Sequence, residues 1–246
     1  MVSSILTAGT NSDIIIQKEL IYMADTSLHP ILARKGITPG TPEAVLAVAE
    51  YFVKMKYEEG PQKDNLFGKW FGANHTAWCA EFVSYCFTKG GAGYVVQGIQ
   101  NKTGYLSCRA GIAGMKKRGY QQVPVKDAKP GDIIFFDWDH DHDPDHTGIV
   151  LKNNPKKGQI TCREGNTSRG DGSRSDGGQV AERVRFYTSV FAVFRPVWKP
   201  VAKVAAPAAP VAVAPATAPV AAPVAPAVPK PPVAKKPVPK TAPKAE

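Results

Sequence analysis

The chain has 246 residues and a formal net charge of +10. All four Trp, all eight Tyr, all ten Phe, all four Cys and all 22 Gly precede Lys199, whereas residues 199–246 hold 13 of the 22 Pro among Ala, Val and Lys. The seven Lys and one Glu of that last stretch supply +6 of the charge, which leaves +4 on the part able to build a core and argues against a basic nucleic-acid-binding domain.

In chain order, residues 1–40 show little periodicity and include Pro30 and the ITPGTP turn, so the sequence predicts a loosely ordered arm. Asp13, Lys18 and Glu19 interrupt the short Ile14-Ile15-Ile16 run, and no basic n-region precedes it. The expectation is therefore no secretory signal and a cytoplasmic start, with Met1 or Met23 as the first residue. Thr41 as N-cap, Pro42 at the first helical position and Glu43 in the first turn open a helix whose stripe is Val45, Val48, Ala49, Phe52 and Met55. Residues 60–76 are polar, aromatic and Gly-containing, a loop pattern. A second helix follows in AWCAEFVSYCFTK, with Thr76 as N-cap and Gly90-Gly91 closing it, and a third spans Gly104 to Arg118.

After the Pro130-Gly131-Asp132 turn the pattern changes to short β-branched and aromatic runs: IIFF, TGIVL, QITCRE, VAERVRF and VFAVFRP. Helices followed by strands predict an α+β domain over residues 41–198, with the helices packed on an antiparallel sheet. Residues 199–246 have no aromatic residue and no Gly, so they predict a disordered Pro/Ala/Val/Lys-rich tail. Its uncharged stretch, Val204 to Pro229, carries Pro every few residues and cannot span a membrane as a helix; polyproline II is the expected state.

The cysteines at 79, 86, 108 and 162 form no CxxC pair. Cys79 and Cys86 on one helix lie about 10 Å apart along its axis, too far for a disulfide. Cys86, Cys108 and Cys162 read as small buried hydrophobes. Cys79 differs because it sits in the first turn of its helix, where free N–H groups and the helix dipole favour thiolate; simple packing is the alternative. Of the five histidines, His29 lies in the arm, His75 in a loop, and His140 and His142 in an acidic loop. His146 opens a strand, the rigid placement that a general base needs. The next strand ends in Glu164-Gly165-Asn166, where alternation puts Glu164 and Asn166 on one face, able to orient an imidazole.

These segments carry a resemblance. WCAEFVSYCF, KPGDIIFFDW, DHTGIVL, EGNTS and GGQVAERVR together resemble a CHAP domain, the cysteine, histidine-dependent amidohydrolase/peptidase group of the papain-like NlpC/P60 superfamily, over about residues 41–196. The resemblance implies a papain-like fold and peptidoglycan cleavage, at the N-acetylmuramoyl-L-alanine amide or within the stem peptide or cross-bridge. It implies Cys79 as nucleophile, His146 as base, Glu164 orienting His146, Asn166 supporting the imidazole or the oxyanion, and the Cys79 N–H among the oxyanion donors. No cofactor is expected. Some CHAP domains bind calcium, and the loop DWDHDHDPD offers Asp139, Asp141 and Asp143. As an EF-hand it fails, with Pro144 at the Gly position and Val150 at the Glu position, so a solvated turn is favoured.

Three functions follow: a phage endolysin or virion-associated lysin reaching the wall from the host cytoplasm or the virion; a papain-like peptidase acting on proteins; and a non-enzymatic wall-binding or structural protein. The expected partners are peptidoglycan and, through the Lys-rich tail, anionic wall polymers; no nucleic acid and no membrane span are expected.

Overall fold

The structure, a computed structural model, describes residues 28–170, 172 and 175–200. The expectations for residues 1–27 and for the tail beyond Pro200 lie outside the described residues. The chain divides into two units after Ala208, and the described residues all belong to the first.

The end of the expected arm belongs to the fold. His29 accepts a hydrogen bond from the Ile31 N–H and caps helix α1 (Pro30–Lys35), whose Leu32 is buried. Helix α2 (Pro42–Lys54) begins as its sequence predicts, with Thr41 Oγ1 accepting from the Ala44 N–H at 3.1 Å. Its buried face runs from Ala44 to Phe52, and Met55, expected on that face, caps the helix and is exposed.

The segment 60–76, expected to be a loop, contains a short helix α3 (Leu66–Phe71), started by Asn65 Oδ1 accepting from the Gly68 N–H at 2.7 Å. A single turn and a half gives too few residues for a visible period. Its burial decides: Phe67 is fully buried, with ring centroids 5.0 Å from Phe52, 5.1 Å from Trp78, 5.2 Å from Phe82 and 5.3 Å from Tyr85. Each such aromatic pair contributes about 0.5–1.5 kcal/mol beyond its buried area, so this cluster rigidly holds the approach to Cys79.

Helix α4 (Cys79–Phe87) is buried along its whole length. Helix α5 (Cys108–Lys117) starts four residues later than expected because Ser84 Oγ donates to the Tyr105 carbonyl and accepts from the Tyr105 N–H, which holds that residue outside the helix.

The strands are β1 (Gln121–Gln122), β2 (Ile133–Phe136), β3 (His146–Asn154), β4 (Gln159–Thr167), β5 (Gln179–Phe186) and β6 (Val190–Arg195). They form one antiparallel sheet in the order β1-β6-β2-β3-β4-β5. Alternation along β2 sends Ile133 and Phe135 to the core shared with the helices, and Ile134 and Phe136 to a second cluster with Val150, Ile160, Cys162 and Val193. Helix α4 packs on β3 and β4, and α2 on β4 and β5, giving the expected α+β architecture.

Two glycines permit close approach at the site end of the sheet. A Cβ on Gly165 would come within 2.7 Å of Trp78, so β4 and the start of α4 meet only because that residue has no side chain. A Cβ on Gly148 would come within 2.8 Å of Glu164 Cγ, so Gly148 clears the space that the Glu164 side chain fills.

Candidate active site

Cys79 is the first residue of α4, and its N-cap is Trp78, not Thr76. The Thr76 hydroxyl turns back to the Ala73 carbonyl at 3.0 Å, which leaves the helix start without a side-chain cap. Trp78 is fixed by its stack on Phe67 and by Nε1 donating to Glu59 Oε2 at 2.5 Å. The first N–H groups of a helix have no intrahelical acceptor, so Cys79 stands beside free donors at the positive end of the dipole.

His146 is the first residue of β3, paired across the ladder with Phe136 and flanked by Phe136 and Trp138, each with ring centroids 6.0 Å away. Its Nε2 is 3.0 Å from Glu164 Oε2 on β4, with both residues fully buried. Nδ1 is buried with no hydrogen-bond partner of its own, which leaves it as the nitrogen available to Cys79, whose influence His146 feels.

The electrostatics follow from these contacts. The Cys79 thiol is held well below its ordinary pKa, first by a hydrogen bond from Cys108, then by the hydrogen bond and charge of His146 and by the Thr147 N–H, while burial opposes them. Burial alone would lower the His146 pKa, but Cys79 and Glu164 raise it to about 9. Burial likewise works against the Glu164 charge, and hydrogen bonds from His146 and Arg185 hold its carboxyl below the ordinary value. These shifts favour the thiolate of Cys79 and the imidazolium of His146 together, with a carboxylate behind them.

Asn166 does not join this set. Its amide donates to the Ser175 carbonyl at 3.1 Å and reaches Asp176 Oδ1 at 3.4 Å, so it braces the loop between β4 and β5. The register shifts between Glu164 and Thr167, and Asn166 takes a φ of 54°, which breaks the alternation that would have placed it beside Glu164. The other histidines lie elsewhere: His75, His140 and His142 are exposed, and His29 packs on Tyr51 and Phe52.

Three residues with no expected part in the chemistry surround the pair. Arg185 on β5 is buried and grips Glu164. Cys108, expected to be a packing residue, is the first residue of α5, and its thiol is pushed well above the ordinary range by Cys79 and by burial, so it remains an S–H donor to the thiolate. Glu81, in the first turn of α4, is fully buried, and burial and the Cys79 charge push it up to about 8, which keeps it neutral at pH 7.

The acidic loop does not gather Asp139, Asp141 and Asp143. Asp143 is paired with Arg109, and Asp141 Oδ1 accepts from the Asp143 N–H at 2.8 Å. Among the described residues the carboxylates that converge are Asp137, Asp139 and Asp145. Asp137 already accepts from the His140 and His142 N–H groups, and Asp145 from the Trp138 N–H, so most of these oxygens serve the turn itself. Calcium takes six to eight oxygens, and this set does not fit it as a preformed cage.

A cysteine at a helix start facing a histidine at a strand start, backed by a carboxylate, is the arrangement that nucleophilic catalysis by a papain-like cysteine hydrolase requires. Comparison with protein families agrees: residues 71–166 match the family model of the CHAP domain, a match consistent with a CHAP domain of the papain-like peptidase class. CHAP domains are hydrolases of the cysteine-peptidase type, acting in general as peptidoglycan hydrolases or as amidases and peptidases. A comparison with curated proteins yields no match.

Proposed function

We propose that this protein is a phage lysin that hydrolyses an amide bond of bacterial peptidoglycan, either the N-acetylmuramoyl-L-alanine linkage or a bond of the stem peptide or cross-bridge. The observation that carries the reading is the buried contact of Cys79 with His146, whose other ring nitrogen is held by Glu164. In this mechanism the Cys79 thiolate attacks the amide carbonyl, and the Cys79 N–H at the helix start faces the developing oxyanion. The His146 Nδ1 proton passes to the leaving amine, and the acyl group stays on the sulfur. Nδ1 then takes a proton from water, the resulting hydroxide attacks the thioester, and the thiolate returns. No resident metal or cofactor has a part in these steps. The Lys-rich stretch from 199 would hold the enzyme on anionic wall polymers.

The test is digestion of purified walls with mass analysis of the fragments, since new N-termini and free muramoyl ends distinguish the bonds. Cys79→Ala should abolish release, because losing a covalent nucleophile costs several orders of magnitude in rate, whereas Cys86→Ala should stay active. A folded Cys79→Ala protein that still clears walls overturns the mechanism.

A further inference from the structure

Arg185 lies on β5 with only 4% of its surface exposed, and its Nε donates to Glu164 Oε1 at 2.9 Å while Nη2 donates to Glu164 Oε2 and, at 3.2 Å, to Thr167 Oγ1. The guanidinium also covers two aromatic faces, with its central carbon 4.7 Å from the Trp138 ring and 5.8 Å from the Phe136 ring. Those same two rings flank His146. One cation thus sets the carboxylate that His146 uses and shares the aromatic walls between which His146 sits.

We propose that Arg185 is a positioning residue of the active site: its two-pronged grip on Glu164 holds that carboxylate ionised and in plane, so that His146 gives Nε2–H to Glu164 and turns Nδ1 to Cys79. The reason lies in the chemistry of the buried chain. A carboxyl group and an imidazole buried together have a competing neutral arrangement, in which the proton sits on the acid and the imidazole loses its charge. A guanidinium cannot give up its proton, and beside Glu164 it makes the neutral acid unfavourable. Cys79, His146, Glu164 and Arg185 then alternate in sign, and each buried charge touches its opposite. Two parallel N–H donors also define the carboxylate plane, which a lysine ammonium cannot do.

This inference rests on the assignment of Cys79 and His146 as the reacting pair, and its test reads the thiolate without needing any substrate. The rate of iodoacetamide alkylation at Cys79, located by peptide mass, is followed against pH for the full chain and for Arg185→Met, Arg185→Lys, Glu164→Gln and the double variant Arg185→Met/Glu164→Gln. Arg185→Met should move the inflection upward by about one pH unit or more, and Arg185→Lys should recover part of that shift. On walls, Arg185→Met should lower kcat roughly tenfold or more with KM within about twofold, since the loss falls on the reacting pair. Because Arg185 acts through Glu164, adding Arg185→Met to Glu164→Gln should change either reading by less than about twofold.

A wild-type alkylation profile and kcat in Arg185→Met, or full additivity in the double variant, overturns the proposal. Where Arg185→Met does not fold, Arg185→Lys decides: unchanged inflection and kcat in that variant refute the need for a planar fork. If the wild-type protein releases nothing from walls while these alkylation shifts occur, the peptidoglycan reading fails and the role of Arg185 stands.

Discussion

The pairing of Cys79 with His146 can be measured as an energy. His146 is lifted from 6.5 to about 9 by Cys79 and Glu164 against the effect of burial. That lift, roughly 2.5 pH units, corresponds to ~3 kcal/mol favouring the imidazolium. If about half of it comes from Cys79, the thiolate in turn owes on the order of 1–2 kcal/mol to His146, and His146→Ala should raise the thiol inflection by about one pH unit. Alkylation of Cys79 followed from about pH 5 to about pH 10 reads this directly, since the wild-type inflection should lie below the free-thiol value of about 8.5 and that of the variant about one pH unit above the wild-type value. The activity profile has a defined sign. Activity rises as Cys79 loses its proton below the ordinary thiol range and falls near pH 9 as His146 loses the proton it must give to the leaving amine. His146→Ala should abolish wall hydrolysis, whereas His75→Ala, in an exposed loop, should cost less than about tenfold. An unchanged Cys79 inflection in His146→Ala, or His75→Ala as the inactive variant, would refute the assignment of the base.

Other expectations are independent of this pair. His29 is buried, and burial, with Arg34 and Lys89 nearby, lowers its pKa to about 4. Its folded value therefore lies below the unfolded 6.5: its contribution is intact above pH 6.5, stability is lost as pH falls from there toward 4, and His29→Asn should flatten that loss of about 3 kcal/mol in urea titrations. Excess chelator should reduce wall hydrolysis less than about twofold, because the acidic carboxylates serve the loop backbone; a large loss restored by calcium alone would show a bound ion at work. Deleting residues 201–246 removes six Lys and one Glu while keeping the contact of Lys199 with Tyr94, and should lower binding to intact cells at low salt, with the difference fading as the Debye length falls below about 8 Å above 0.15 M. Equal binding at every salt concentration would deny the segment a role in capture.

Much of the fold is legible wherever a local rule decides it. Thr41-Pro42-Glu43 specifies the start of α2 through a cap, a preset φ and the helix dipole, and the runs after Gly131 read as strands because β-branched and aromatic residues recur between turns. The rules fail where a tertiary contact overrides them. Phe67 makes α3 worthwhile only because Phe52, Trp78, Phe82 and Tyr85 surround it, and no spacing within six residues announces those neighbours. Ser84 delays α5 by holding the Tyr105 backbone from 21 positions away.

The same division runs through the site. Cys79 and His146 are visible in the sequence because a helix start and a strand start are local features, and both are places where chemistry gains from the backbone. Alternation, a rule sound for a regular strand, does not hold at Asn166, since the shift after Glu164 and a left-handed residue turn its side chain to the following loop. Arg185 and Cys108 act through register and helix packing, and neither stands in a motif that names its role. The cost of the arrangement also explains why it resists local reading. A buried ion chain contributes little net stability against well-packed apolar groups, and Glu81 Oε2 lies buried nearby without a partner. Such groups persist in a core where the ionised state itself is needed. Here the outer charges of Arg185 and Glu164 hold the inner pair as imidazolium and thiolate before any substrate arrives.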